Sequence, residues 1–394
     1  MLIEILLFLI LGIIAGTITG LIPGIHINLI GAILVSLSSS FLSSIQSVFL
    51  IVFISSMAIT HTFLDFIPSI FLGCPETDTE LSVLPGHELL KKGQGYEAIM
   101  LTAYGSLAAI MILILITIPT ISFLAYIQGI IKEIIPYFLI LISVILILLE
   151  KKKFSAFFVF LLTGILGLVV LNLELNEPLL PLLTGLFGGS MLITSIKNKT
   201  KIPKQNITKI KKPKITRPLL GALIASPLCS FLPGMGSGQA AVIGNIISKT
   251  NRKGFLILLG ATNTLVMGFS FISLYVISRT RTGAAVAIKE IIKIISLDIL
   301  ILILFTIFLT GFIAFFLTKN LAKKFSKKIN KINYTSLSCI TLLILILLVL
   351  AISNFLGLII LMVSILTGLI CISFNVKRVN MMGCLLLPVI IFYL

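Results

Sequence analysis

The 394-residue chain has no tryptophan, three histidines, five cysteines and only 13 acidic residues against 30 lysines and arginines. Charged side chains make up 11% of it, where a soluble globular chain carries about 25%. With 58% hydrophobic residues and a mean hydropathy of +1.22, so few charges cannot clothe a soluble surface, and the chain belongs in a bilayer. Several apolar stretches reach the roughly 20 residues needed to cross the hydrocarbon core. The first, from Met1 to about Gly20, has no basic leader and no small-residue cleavage site, which predicts a retained helix rather than a signal peptide. Cys74, Cys229, Cys339, Cys371 and Cys384 are scattered, with no CxxC pair. Neither a disulfide framework nor a metal centre is expected of them, and no cofactor is predicted. No GxxxxGK[ST] run occurs, which argues against direct ATP drive. The formal charge of +17 does not point to nucleic acid, because the lysines fall in short loops between spans, where topology signals belong.

Those basic loops are Lys91–Lys92, Lys151–Lys153, residues 197–217, residues 319–331 and Lys377–Arg378. The 197–217 segment holds eight lysines and one arginine with no acid. With all of these in the cytoplasm, residues 154–172 run outward, Glu174 and Glu177 lie outside, and 182–196 return. Residues 335–351 and 355–375 form a similar hairpin around Ser353–Asn354. An internal repeat accompanies this path. At an offset of 210, Gly12, Gly16, Gly20 and Pro23–Gly24 fall on Ala222, Ser226, Ser230 and Pro233–Gly234. At offsets of 202 and 203, THTF at 60–63 meets TNTL at 262–265, and TDT at 77–79 meets TRT at 280–282. Residues 98–118, 134–149, 154–172 and 182–196 then match spans near 294–318, 335–351, 355–375 and 380–394. The first half starts with MLIEI, free of lysine and arginine, and the second beside Arg217, so their orientations oppose. The expectation is an all-α polytopic membrane protein of about 10–12 hydrophobic segments in two inverted-topology repeats with Pro-Gly broken or re-entrant helices. The first repeat is 1–196, the basic cytoplasmic linker 197–217 and the second repeat 218–394.

The interruptions carry the candidate chemistry. GLIPGIHINLIGA at 20–32 and FLPGMGSGQAAVIG at 231–244 place Pro-Gly where a helix should continue, and proline removes a donor while glycine admits non-helical dihedrals. Broken backbone at membrane depth is tolerated only inside protein or beside a watery cavity. A helix restarting there offers free N–H groups to an anion. Pro23, Gly24, His26 and Asn28 from the first break, with Pro233, Gly234, Gly236, Ser237, Gly238 and Gln239 from the second, are candidate substrate-binding residues. A plain proline kink with packing glycines is the alternative. Gly12/Gly16/Gly20 and Ala222/Ser226/Ser230 read as close helix packing beside the breaks.

THTFLDF at 60–66 and ATNTLVMGF at 261–269 form a second matched pair. His61 and Asp65 stand four apart, on one helix face, and intramembrane ionisable groups are costly and usually functional. With Thr262 they are candidates for ion coupling, while Asn263 and Thr264 are candidates for substrate contact; structural hydrogen bonding is the alternative for all five. Glu76, Asp78 and Glu80 stand opposite Arg279 and Arg281 in the repeat. The two arginines suit a carboxylate or phosphate through bidentate contacts. They suit equally a pairing with the acids, or a plain loop.

These residues resemble a known family. GTITGLIPGIHINLIGAIL, IPSIFLGCPETDTELSVLPGHELLKKGQGYEAIMLTAYGS and FLPGMGSGQAAVIG are similar to stretches of the large membrane subunit of the tripartite tricarboxylate transporters, the TctA family. The resemblance covers roughly 12–110 and 218–290, and GCPET, TNT and VISRTRTG depart from the family pattern. It implies cation-coupled uptake of a carboxylate, with a soluble binding protein and a small membrane subunit as partners.

The reading is therefore a permease, not an enzyme: a secondary carrier for a small-molecule anion, a di- or tricarboxylate, driven by Na⁺ or H⁺ in the multi-pass setting of a prokaryotic cell membrane, among membrane lipids and with a homo-oligomer open. A polyprenyl or lipid-phosphate carrier and an intramembrane enzyme using His61, Asp65 and Ser237 are the alternatives; no nucleophile–base motif supports the enzyme.

Overall fold

A computed structural model describes residues 2–22, 45–73, 79–175, 177–197, 203–207, 213–231, 237–278, 282–329 and 333–394. The described residues form helices and no strands, the outcome expected when every backbone group in lipid must find its partner within its own segment. Eight helices among them are long and apolar enough to cross a membrane, and Pro136–Leu148 and Arg378–Tyr393 are shorter apolar segments.

Burial separates the centre from the rim. Helices α2 (Ser47–Leu64) and α3 (Phe66–Leu72) form one span whose apolar window is 78% buried, and α11 (Arg252–Ile277) is 94% buried, against 28% for α1 (Leu2–Leu21). Leu2, Ile3 and Ile10 on α1, and Phe154 and Phe157 on α6 (Lys153–Leu171), face outward, as lipid-facing side chains must. The predicted glycine stripe of α1 does its packing. A β-carbon on Gly12 would meet the Ser56 hydroxyl and the Phe53 carbonyl, one on Gly16 the Met57 carbonyl, and one on Gly20 would come within 2.9 Å of the Leu64 β-carbon. Lacking those atoms, α1 lies directly along α2.

Two of the long elements double back. Helix α5 (Gly95–Leu148) has 54 residues and contains Pro119 and Pro136; straight, it would be about 80 Å long. Yet Glu97 near its start pairs with Lys253 at 2.6 Å, while Glu150 just past its end shares a cavity wall with the neighbouring Arg252. The two ends therefore return to one face, matching the separate 98–118 and 134–149 spans read from sequence. In α14 (Tyr334–Ser373), Asn354 breaks the helical path with φ 56° and ψ −165°. The Val349 side chain lies 3.3 Å from where a Gly357 β-carbon would sit, whereas eight residues of straight helix rise about 12 Å. The hairpin expected around Ser353–Asn354 is present.

The face to which α5 returns also collects the loops. Residues 203–207 of the basic linker dock there: Gln205 Nε2 donates to the Leu90 carbonyl at 3.0 Å, its Oε1 accepts from the Gly95 amide at 2.8 Å, and the Asn206 amide donates to the Gly93 carbonyl at 2.7 Å. Composition alone, rich in lysine and free of acid, marks the linker as a solvated connection; the buried Gln205 is what pins it.

Candidate functional site

The polar centre of the protein grows from an irregularity in the buried span formed by α2 and α3. Pro68 has no N–H to give to the residue 64 carbonyl, and its ring crowds that carbonyl. Accordingly α2 stops at Leu64, Asp65 forms a single turn residue and α3 resumes at Phe66. Asp65 is 1% exposed. Asn263 of α11 donates from Nδ2 to Asp65 Oδ2 at 2.7 Å and reaches the Thr62 carbonyl at 3.4 Å. Thr62 and Thr264 hydroxyls stand 3.3 Å apart. On the other side of the same span, His61 Nδ1 is 3.0 Å from the Thr19 hydroxyl of α1. The Ser69 hydroxyl donates to the Asp65 carbonyl at 2.8 Å and lies 2.6 Å from the Thr79 hydroxyl.

THTFLD and TNT, read from sequence as matched motifs about 200 residues apart, thus meet in space through Thr62, Asp65, Asn263 and Thr264. His61 adjoins them but bonds toward α1, and the Thr262 hydroxyl donates to the Leu259 carbonyl of its own helix at 3.0 Å. Ser237, Gly238 and Gln239 open α10 (Ser237–Ser248) and are buried. Pro23, Gly24, His26, Asn28, Pro233, Gly234, Gly236, Arg279 and Arg281 lie outside the described residues, as do Glu76 and Asp78. The described ends of both interrupted helices nevertheless leave from the cluster. Gly20, near the end of α1, rests against His61 and Leu64. Ser230, near the end of α9 (Thr216–Phe231), donates to the Val266 carbonyl at 3.3 Å, one turn from Asn263.

Thr19, Ser69 and Thr79 were not among the sequence candidates. Isolated hydroxyls in apolar helices carry no spacing signal, although Thr79 ends the TDT triplet of the repeat. Chemically, the cluster offers a carboxylate, an amide and hydroxyl oxygens in dry surroundings. That set suits a small hard cation or a proton and gives no soft ligands; no group of three His, Cys, Asp or Glu side chains that would hold a metal ion occurs among the described residues.

A second buried imidazole sits apart from this cluster. His87 on α4 (Val83–Lys91) is 3% exposed and hydrogen-bonds the Ile70 backbone; burial first, then the Lys91 and Arg378 cations, lower its pKa from 6.5 to about 4. The folded state therefore keeps it neutral while the unfolded chain takes up the proton. Its stabilising contribution is complete above pH 6.5 and is lost as pH falls towards 4, a difference of roughly 3 kcal/mol. Melting temperature in detergent should drop across that window, and His87→Gln should flatten the drop. An unchanged slope in the variant would assign the acid sensitivity elsewhere.

The family described as the tripartite tricarboxylate transporter TctA family matches residues 6–383. An uncharacterized protein of Methanocaldococcus jannaschii is 33% identical over 354 residues, covering 87% of this chain and 88% of that protein. No solved structure matches.

Proposed function

Because the chain belongs to the tripartite tricarboxylate transporter TctA family, and is thus a multi-pass transporter component, we propose that it is a secondary carrier for a di- or tricarboxylate, driven by Na⁺ or H⁺ bound at Asp65. The carrying observation is the Asn263–Asp65 hydrogen bond of 2.7 Å, which joins the two motif-bearing halves at a buried carboxylate. A charged group in that position is expensive, and an ion that neutralises it would change how the halves hold together. Substrate binds, on this reading, at the helix breaks that leave the cluster, through the backbone after Pro23 and Pro233 and through Ser237, Gln239, Arg279 and Arg281. The pairings α1 with α2 and α9 with α11 support an inverted repeat, the arrangement from which rocking carriers are built. A soluble binding protein and a small membrane subunit are the partners proposed, in the plasma membrane of a prokaryote.

Melting temperature in detergent, measured against di- and tricarboxylates and short-chain prenyl phosphates with and without Na⁺ and at two pH values, tests this. A ligand at 100 times its dissociation constant stabilises by about 2.7 kcal/mol. The expected result is a rise with one class of carboxylate that requires Na⁺ or low pH and disappears in Ser237→Ala. A rise with prenyl phosphates alone would replace the reading with a lipid-phosphate carrier.

A further inference from the structure

A cavity of mixed polar and apolar lining on the ion-paired face has a volume of about 390 Å³ and lies between α4, the end of α5, α10, the start of α11 and residues 377–379. Among the described residues, five charged side chains contribute to its wall: Glu88, Glu150, Arg252, Lys377 and Arg378. Both acids are already neutralised. Arg252 meets Glu88 at 2.5 Å; Lys377 Nζ lies 3.6 Å from Glu150 Oε1, which also accepts from the Lys377 amide and from Asn380 Nδ2, each at 3.2 Å. Among these described side chains, Arg378 is the cation left without an acid. Its guanidinium donates to the Phe187 carbonyl at 3.3 Å and reaches Met191 Sδ at 3.6 Å, both neutral acceptors. A half-buried guanidinium bearing a full charge against neutral groups is incompletely compensated, and its planar fork suits an oxyanion. The cavity also leads somewhere. Leu146, Val242 and Val379 are shared with a smaller cavity walled by Gln239, at the start of α10.

We propose that this cavity is an anion-binding vestibule on the ion-paired face, in which Arg378 attracts the carboxylate of the transported solute before or after it occupies the helix break at Ser237–Gln239. The inference rests on the carrier reading above and adds to it a place and a residue that no motif marked. A volume of 390 Å³ falls within the range of small-ligand sites. The spare positive charge makes the vestibule selective for anions while leaving the polyatomic skeleton of the solute to its apolar wall. A phosphate would satisfy the same fork, so the test separates the two sources.

Citrate, succinate and farnesyl phosphate binding are measured by calorimetry on the purified chain and on three variants. Arg378→Gln keeps a donor for the Phe187 carbonyl but removes the charge, Arg378→Lys restores a point charge, and Ile246→Trp fills the cavity from its wall. The expected result is that Arg378→Gln weakens a carboxylate roughly tenfold or more, that Arg378→Lys recovers part of it, and that Ile246→Trp weakens it as well. Wild-type affinity in Arg378→Gln and in Ile246→Trp, with the parent binding carboxylate, overturns the vestibule and leaves the carrier reading standing. Binding of farnesyl phosphate but no carboxylate by the parent overturns both.

Discussion

Asp65→Asn should abolish gradient-driven accumulation of the solute while leaving the protein folded. The substitution preserves the shape of a side chain that is 1% exposed and exchanges a carboxylate oxygen for a neutral amide beside Asn263. Removing one charged partner from a desolvated site costs at least about 3 kcal/mol, on the order of a hundredfold in ion affinity. In proteoliposomes with an imposed Na⁺ or pH gradient, the initial rate should therefore fall by roughly two orders of magnitude. Exchange of labelled for unlabelled solute without a gradient should suffer less, because the residues proposed to contact substrate are unchanged. That difference separates coupling from substrate contact. Asn263→Leu should injure both, since it strips Asp65 of the 2.7 Å donor and leaves the carboxylate buried beside a hydrocarbon. If Asp65→Asn accumulates solute like the parent, Asp65 is a structural residue and the coupling ion binds elsewhere.

How far this site could be read from sequence follows from what each residue does. Asp65 was visible because an acid inside THTFLDF has no inexpensive explanation in a bilayer, and Asn263 because the offset of 202 laid TNT over THT. The doubling back of α14 was visible in Ser353–Asn354, a polar pair too short to be a loop between soluble elements. Thr19 was invisible, since a threonine in an apolar helix is ordinarily satisfied by its own backbone; here it bonds Gly16 at 3.3 Å as well as His61. In sequence, Arg378 is a topology signal, as an arginine beside Lys377 in a basic loop should be. Only the fold shows that Glu150 takes the lysine and leaves the arginine with the Phe187 carbonyl. That carbonyl belongs to the π-helical turn Thr184–Gly189, whose wider register frees backbone acceptors, and no local sequence rule announces it.

The ion pairs add a geometric point that composition hides. Among the described residues, Glu88, Glu97 and Glu150 all precede the linker, and their partners Arg252, Lys253 and Lys377 all follow it. Scarce acid is thus placed where it ties the second half to the first on one face, flanking the vestibule. Their cations are solvent-exposed while Glu150 is buried, and half-exposed pairs of this kind contribute modestly to stability individually, so their consequence is positional: they hold one face of the two halves together.

A backbone-to-backbone seam between those halves sets the second large effect. Helices α5 and α11 approach so closely that a β-carbon on Gly260 would meet the backbone of Thr102, and one on Gly105 the carbonyl of Ile257; the Ser106 hydroxyl donates to the Gly260 carbonyl at 3.0 Å. Gly260 lies three residues before Asn263 on the same helix, so pushing the seam apart also withdraws Asn263 from Asp65. Gly260→Ala gains helix propensity of about 1 kcal/mol, yet it must displace backbone rather than a side-chain tip, and overpacking of that kind costs about 1–3 kcal/mol or more. Gly260→Leu should leave no monodisperse protein in detergent. Gly311→Ala is the informative contrast, because a β-carbon there would meet only the Cδ1 tip of Ile110, which can rotate away. Gly311→Ala should melt at or above the parent temperature and Gly260→Ala several degrees below it. Equal melting temperatures would mean that α5 and α11 are not in backbone contact at Gly260, and the placement of Asn263 against Asp65 would fall with that contact.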